Sequence, residues 1–184
     1  LFVGADSHTC SAGAIGAMGI GVGATDLAAV WLTGKIWLRI PKTIRIEING
    51  QLPPGVYGKD LILSVLSKTG IAGATYQAME FSGDTVTGLS LSSRITIANM
   101  MIEAGAKTGF IDHRGLDLAS GQLPPVPDAD ADYDQSMVFD AARAKPMVSR
   151  PHSPARADSV DAVAGKAVHL AFIGTCANGR LEDL

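Results

Sequence analysis

The 184 residues are enough for one large domain or two small ones. With 47% hydrophobic and 18% charged residues, the composition is that of a globular chain and excludes disorder. A formal charge of -3 and a pI near 5.7, without any basic run, speak against nucleic acid, and no apolar run is long enough to span a membrane.

The sequence does not open on a basic-then-apolar leader. Cys10 and Cys176 stand far apart and no C-x-x-C occurs, so neither a disulfide framework nor a zinc site is indicated. A reducing, cytoplasmic setting is the default expectation. Twenty-one glycines against 5% aromatic residues point to an α/β protein with tight turns and close backbone packing.

The densest reactive cluster comes first. Asp6-Ser7-His8-Thr9-Cys10 lies between Gly4 and the glycines at 13, 16, 19, 21 and 23. Termini tend to fray, so a chemical cluster here suggests an active-site loop in a piece of something larger. Asp and His in one tight loop can set each other's protonation, and His is the common proton carrier near neutral pH. A plain polar turn, with Asp capping the backbone, is the competing reading. Gly19-Ile20-Gly21-Val22-Gly23-Ala24 invites a dinucleotide site, but that fingerprint needs a preceding strand and an acid about 20 positions on. Neither is in place, so close packing of backbone around a site is expected instead.

From Thr25-Asp26 the pattern turns helical. Leu27, Val30, Trp31, Ile36 and Trp37 form its apolar face, Thr25 or Asp26 is the cap, and Pro41 is the stop. Residues 42–49 alternate, with Ile44, Ile46 and Ile48 against Arg45 and Glu47, as in a half-exposed strand. A loop at 51–55 precedes a helix over 59–69 that stops at Gly70. A short strand is predicted over 75–81 and a helix over 92–104. Residues 107–112 are extended or begin a loop. Glycine, proline and aspartate over 113–131 predict a surface loop. A short helix near 133–144 and an extended passage at 150–154 come next. Residues 167–173 predict a buried strand running into Gly174-Thr175-Cys176-Ala177-Asn178-Gly179-Arg180.

Three further positions carry chemistry. Asn99 and Glu103 stand four apart on one face of a helix that is apolar almost all round, so the carboxylate there is either functional or paired with Lys107. Cys176 follows a strand, in a loop of small residues. That is where α/β proteins place ligands, and such a loop leaves room and backbone amides for a sulfide-rich anion. Inert burial is the competing reading for a lone cysteine. Cys10 reads as a packed or loop thiol. His113, His152 and His169 are assigned no role, and Asp128 to Asp132 is a solvated loop.

These stretches, with Gly73-Ala74-Thr75-Tyr76, Thr96-Ile97-Ala98-Asn99-Met100, Glu103-Ala104-Gly105-Ala106 and Pro151-His152-Ser153-Pro154, resemble the aconitase superfamily. The likeness is strongest to the branch of 3-isopropylmalate dehydratase large subunits and homoaconitase-like relatives. It extends through Cys176-Ala177-Asn178-Gly179-Arg180-Leu181-Glu182-Asp183. The resemblance implies three-layer α/β/α domains, incomplete at both ends: 1–41 closing a first domain, 42–148 a central one, and 149–184 opening a third. It implies a hydro-lyase with a 4Fe-4S cluster acting on a 2-hydroxy acid, most simply isopropylmalate in leucine biosynthesis. Homoaconitate or 2,3-dimethylmalate is the alternative substrate, and a cluster-free interaction remnant is the reading from another class. A small subunit is the implied partner.

The same resemblance implies roles for individual residues. Asp6 and His8 would carry the proton of the hydroxyl, with Glu103 in the same catalytic network. Ser7 and Asn99 would bind substrate. Cys176 would be a cluster ligand, with Asn178 beside the cluster. Ala177 stands where the family usually has threonine. The family's other two cluster cysteines lie outside these residues, so the 184 residues alone are expected to be inactive and to hold no stable cluster. Stoichiometric iron and sulfide in the purified chain would contradict that.

Overall fold

A computed structural model of the chain describes residues 1–117 and 124–184. Residues 118–123 of the expected surface loop lie outside the described residues.

The first element pair is β1 (Phe2–Gly4) and β2 (Gly19–Gly21), which pair in parallel. A 3-10 segment, Ser7–Ile15, connects them. Helix α1 (Ala24–Thr33) follows. The main sheet contains β3 (Thr43–Asn49), β4 (Ala78–Ser82), β5 (Thr108–Ile111) and β6 (Gln135–Asp140). Its order is β5-β4-β3-β6 and every pair is parallel. Helix α2 (Gly58–Thr69), the single turn α3 (Asp84–Thr87) and helix α4 (Leu91–Met100) lie between the strands. Helix α4 tightens into a 3-10 turn over Met101–Ala104. A small antiparallel pair, β7 (Met147–Ser149) and β8 (Ala157–Ser159), comes late in the chain. The α/β class is as expected: a parallel sheet flanked by helices.

The alternation read in β3 sets the core. Ile44, Ile46 and Ile48 are fully buried, and the register places Met79 and Phe81 of β4 beside Ile44 and Ile46. Leu61, Ile62, Val65 and Leu66 of α2 and Ile97, Ala98 and Met101 of the α4 region complete the same cluster. Gly70 ends α2 as predicted, with its N–H donating to Leu66 O at 2.8 Å. At the other end of α2, the Asp60 carboxylate accepts from Tyr57 N at 2.8 Å and Met147 N at 2.7 Å, tying the helix to β7.

Three expectations need correction. Helix α1 ends at Gly34, whose φ of 65° takes the left-handed turn open to glycine, so Ile36 and Trp37 lie beyond it and Pro41 is not the stop. Its N-cap is Gly23, with Thr25 and Asp26 inside the first turn, and none of its residues is buried. The short helix expected near 133–144 is strand β6. Met137 and Phe139 alternate inward with Ser136 and Val138, and the ladder with β3 satisfies the backbone. Only Ala141–Arg143 makes a helical turn, under an Asp140 cap. Finally, 167–173 is neither buried nor a strand. Val168, Leu170 and Phe172 are 76%, 85% and 80% exposed, and no described strand pairs with them. An apolar run becomes a buried strand only when a neighbour supplies both ladder and cover. Among the described residues no helix is long and apolar enough to cross a membrane.

Arg94 of α4 is fully buried. Its guanidinium donates to Leu89 O at 3.0 Å, Thr87 O at 2.7 Å, Arg114 O at 2.9 Å and Asp112 O. Burial pushes its pKa below the ordinary arginine value. Arg94→Ala strips the donors from four carbonyls at once, so it should lower stability by about 3–5 kcal/mol in urea unfolding. A loss below about 1 kcal/mol would contradict this account.

Candidate active site

The Asp6 loop is built by its own backbone. Asp6 is extended, at φ -129°, and its carboxylate accepts from His8 N at 2.7 Å, capping the 3-10 segment. Thr9 bonds back twice to Asp6 O, through N at 3.1 Å and Oγ1 at 2.6 Å. The capped polar turn of the sequence reading is present, and it also brings the Asp6 carboxylate toward the His8 ring. Asp6 caps, and its Oδ1 also lies 3.5 Å from His8 Nδ1. Ser7 Oγ lies 3.2 Å from the same nitrogen. The Asp6 side chain is 76% exposed and that of His8 35%.

The glycines act by close approach, as the sequence suggested. A Cβ on Gly21 would stand 2.5 Å from Asp6 O, and one on Gly13 would stand 2.0 Å from Gly109 O in β5. Side chains at either position would lift the loop off β2 or off the main sheet.

Helix α4 braces this loop from below. Asn99 is 4% exposed and its Nδ2 donates to Ser11 Oγ at 2.9 Å. Ser11 Oγ in turn donates to His8 O at 2.7 Å. Cys10 is fully buried, and its thiol donates to Ala98 O at 3.2 Å. Burial pushes that thiol up to about 11. It is the packed thiol expected from the sequence. Glu103 is half-buried in the 3-10 turn after α4 and makes no ion pair among the described residues. Lys107, its alternative partner, donates instead to Gly21 O at 3.1 Å.

The Cys176 loop docks on the same helix. Thr96, 4% exposed, donates through Oγ1 to Ala177 O at 2.7 Å and accepts from Arg180 Nη1 at 2.8 Å. Arg180 Nη2 donates to Cys176 O at 2.9 Å. Asp183 accepts from Gly179 N and Arg180 N, both at 2.9 Å. The Arg180 amide is the chief reason its carboxyl sits below the usual carboxylate range. Cys176 itself is exposed, and Asn178 Oδ1 is buried without a hydrogen-bond partner.

Helix α4 thus carries the anchors of both loops. Thr96 and Asn99 stand three residues apart, about 4.5 Å along the helix axis. Sequence reasoning named Asn99 but missed Thr96, Ser11 and Arg180. Thr96 had a readable signal, a polar side chain within an almost wholly apolar helix, whose burial demands a partner.

Among the described residues, no three His, Cys, Asp or Glu side chains gather as a metal site. Cys10 is committed to Ala98 and held protonated. One accessible thiol, Cys176, remains. The set fits a single cluster ligand and cannot by itself hold a cubane, which takes several thiolates.

Fold and site together define an α/β protein with a capped Asp-Ser-His loop and an exposed cysteine loop on one buried helix. Comparison with known proteins is consistent with this. The model of the aconitase family (aconitate hydratase) matches residues 1–115. The chain is 46% identical along its whole length to a 3-isopropylmalate dehydratase large subunit 1 of Methanopyrus kandleri, covering 46% of that protein. It is 47% identical to a probable methanogen homoaconitase large subunit of Methanosarcina mazei, covering 49% of it. A 3-isopropylmalate dehydratase large subunit of Moorella thermoacetica is 46% identical, with 45% covered. The chain belongs to the aconitase family, and it spans about half the length of the curated relatives it matches.

The two thiols should differ sharply. At pH 8 a thiol with pKa about 11 is roughly one part in a thousand thiolate. A thiol reagent should therefore titrate one cysteine, Cys176, in the native protein and two after denaturation. Because the folded pKa of Cys10 is raised, its contribution is fully present below about pH 9 and is lost as pH climbs toward about 11. Stability should fall over that window by on the order of 2 kcal/mol, and Cys10→Ala should abolish the effect. Two reactive native thiols, or no alkaline loss, would contradict the packing of Cys10.

Proposed function

We propose that the chain belongs to the large subunit of a hydro-lyase that dehydrates and rehydrates a 2-hydroxy acid, with isopropylmalate of leucine biosynthesis as the first-choice substrate. The observation that carries this reading is the single buried helix that braces both the Asp6–His8 loop and the Cys176 loop. Family membership and the names of the relatives support the reaction class.

Cys176 would hold one corner of a 4Fe-4S cluster with Asn178 alongside, and the remaining ligands would come from the length of the relatives that these residues do not span. When bound, such a cluster supplies a Lewis-acidic iron that makes a hydroxyl a better leaving group. The chain's own residues then handle protons and orientation. His8 Nδ1 is occupied by Ser7 and Asp6, which leaves Nε2 as the atom that gives or takes the proton of the departing or entering water. Asp6, 3.5 Å from Nδ1, keeps the imidazole oriented. Ser7 Oγ orients a substrate carboxylate. Asn99 spends Nδ2 on Ser11, so Oδ1 is the atom left for substrate. Glu103 accepts a hydrogen bond from the released water. A small subunit would complete the site, and a reducing, cytoplasmic setting suits an exposed thiol that must stay unoxidised.

A second substrate has a specific observation behind it: the Methanosarcina mazei relative, at 47% identity, bears the name homoaconitase. The test covers both. The full-length subunit with its partner should hydrate 2-isopropylmaleate or the homoaconitase substrate reversibly. Cys176→Ser should lose cluster absorbance. Asp6→Asn and His8→Asn should keep it while kcat drops about 10²–10⁴-fold. Activity on neither substrate would end both readings, and Cys176→Ser with full cluster absorbance would end the ligand assignment.

A further inference from the structure

We infer that Thr96 and Arg180 form a positioning latch that sets the Cys176 loop on α4, so that cluster placement depends on one hydroxyl and one guanidinium outside the ligand set. This rests on the proposed role of Cys176, but the docking itself is readable without it.

Residues 167–173, which lead into the loop, are exposed and make no ladder, so they cannot fix its position. Among the described residues, the hydrogen bonds joining 167–184 to the rest of the protein are three. Thr96 Oγ1 donates to Ala177 O, Arg180 Nη1 donates to Thr96 Oγ1, and Ser90 Oγ donates to Glu182 Oε1 at 2.8 Å. Two of the three share one oxygen.

The latch closes on itself. Thr96 Oγ1 donates a hydrogen bond to the Ala177 carbonyl and accepts one from Arg180 Nη1. Arg180 then spends its second nitrogen on the carbonyl of Cys176 itself. The carbonyls of residues 176 and 177 are thereby pinned to one point on α4. Asp183 holds the Arg180 and Gly179 amides and offsets the guanidinium's charge nearby. Ala177, partly buried, packs against the core cluster and adds an apolar contact to the docking.

The geometry needs a fork. Arginine presents two nitrogens in a plane to two acceptors, and lysine presents one point charge. The hydroxyl at 96 must both donate and accept, which serine can do and valine, of the same shape as threonine, cannot.

The test uses the full-length subunit in two arms. Hydrogen exchange of the metal-free protein reads loop docking over 174–180. Iron release to a chelator from the reconstituted protein reads ligand placement. Thr96→Val and Arg180→Ala should each speed exchange at 174–180 while leaving α2 and β3 unchanged. Each should also speed iron release about 10–100-fold, the range for groups that orient metal ligands. Thr96→Ser should stay within about twofold of the parent, and Arg180→Lys should be intermediate. The double variant should be no worse than the worse single, since the two act as a unit.

Unchanged exchange in Thr96→Val and Arg180→Ala overturns the latch, whatever the iron does. Faster exchange with parental iron release overturns its part in ligand placement. If Cys176→Ser holds iron like the parent, the ligand role of Cys176 fails, and the exchange arm alone then decides the latch.

Discussion

The constraint on which this structure depends is that α4 has no dry polar residue to spare. Arg94, Thr96 and Asn99 lie within about one and a half turns and are 0%, 4% and 4% exposed. A polar group buried without partners costs on the order of 1–3 kcal/mol, more when charged. Each of the three must therefore recruit acceptors or donors from the chain around it. Arg94 recruits four carbonyls, from Leu89, Thr87, Asp112 and Arg114, and so fixes the turns on either side of the helix. Thr96 recruits the Cys176 loop and Asn99 recruits Ser11. The site loops are placed because the helix cannot remain buried without them.

The same constraint explains how stability and function are divided along α4. Arg94 spends its guanidinium on backbone carbonyls alone among the described residues. Further along the helix the tasks alternate: Ile97 and Ala98 fill the core cluster, while Thr96 and Asn99 serve loops outside it. Cys10 belongs to the structural side of this division. Its thiol is as deep as Arg94 and bonds the Ala98 carbonyl, and its raised pKa keeps it an unreactive donor. Position within a reactive-looking run did not make it reactive. Burial decided its chemistry.

Much of the fold was legible because it rests on local periodicity. The Ile44-Ile46-Ile48 alternation, the α2 pattern closed by Gly70 and the apolar stretch of α4 all fold as read. The failures have a common physical origin. Strand β6 has a mixed outer face, Ser136, Val138 and Asp140, that blurs its alternation, and the ladder with β3 makes it a strand. The 167–173 run has the composition of a buried strand but no described neighbour to bury it. In helix α1, Ile36 and Trp37 prolong the apolar pattern past Gly34, although a left-handed glycine ends a helix regardless of the residues beyond it. In each case the deciding term was a pairing or a backbone angle, and composition does not carry either.

At the candidate site, the residues proposed to carry chemistry were easier to read than the residues that hold them in place. Asp6, His8 and Cys176 announce themselves by side-chain type. Ser11 and Arg180 look like ordinary surface polar residues until their partners are known, because a hydrogen bond between residues 84 apart, as from Arg180 to Thr96, leaves no mark in either local sequence. The polar residue inside an apolar helix is the exception. Thr96 could have been flagged because its burial is predictable from its neighbours, and a buried hydroxyl has to be satisfied. Its partner could not have been named, since that depends on where a loop 81 residues further on returns to the helix. A buried polar residue in an apolar helix therefore predicts that something docks there, and leaves only the identity of the docked segment to the three-dimensional structure.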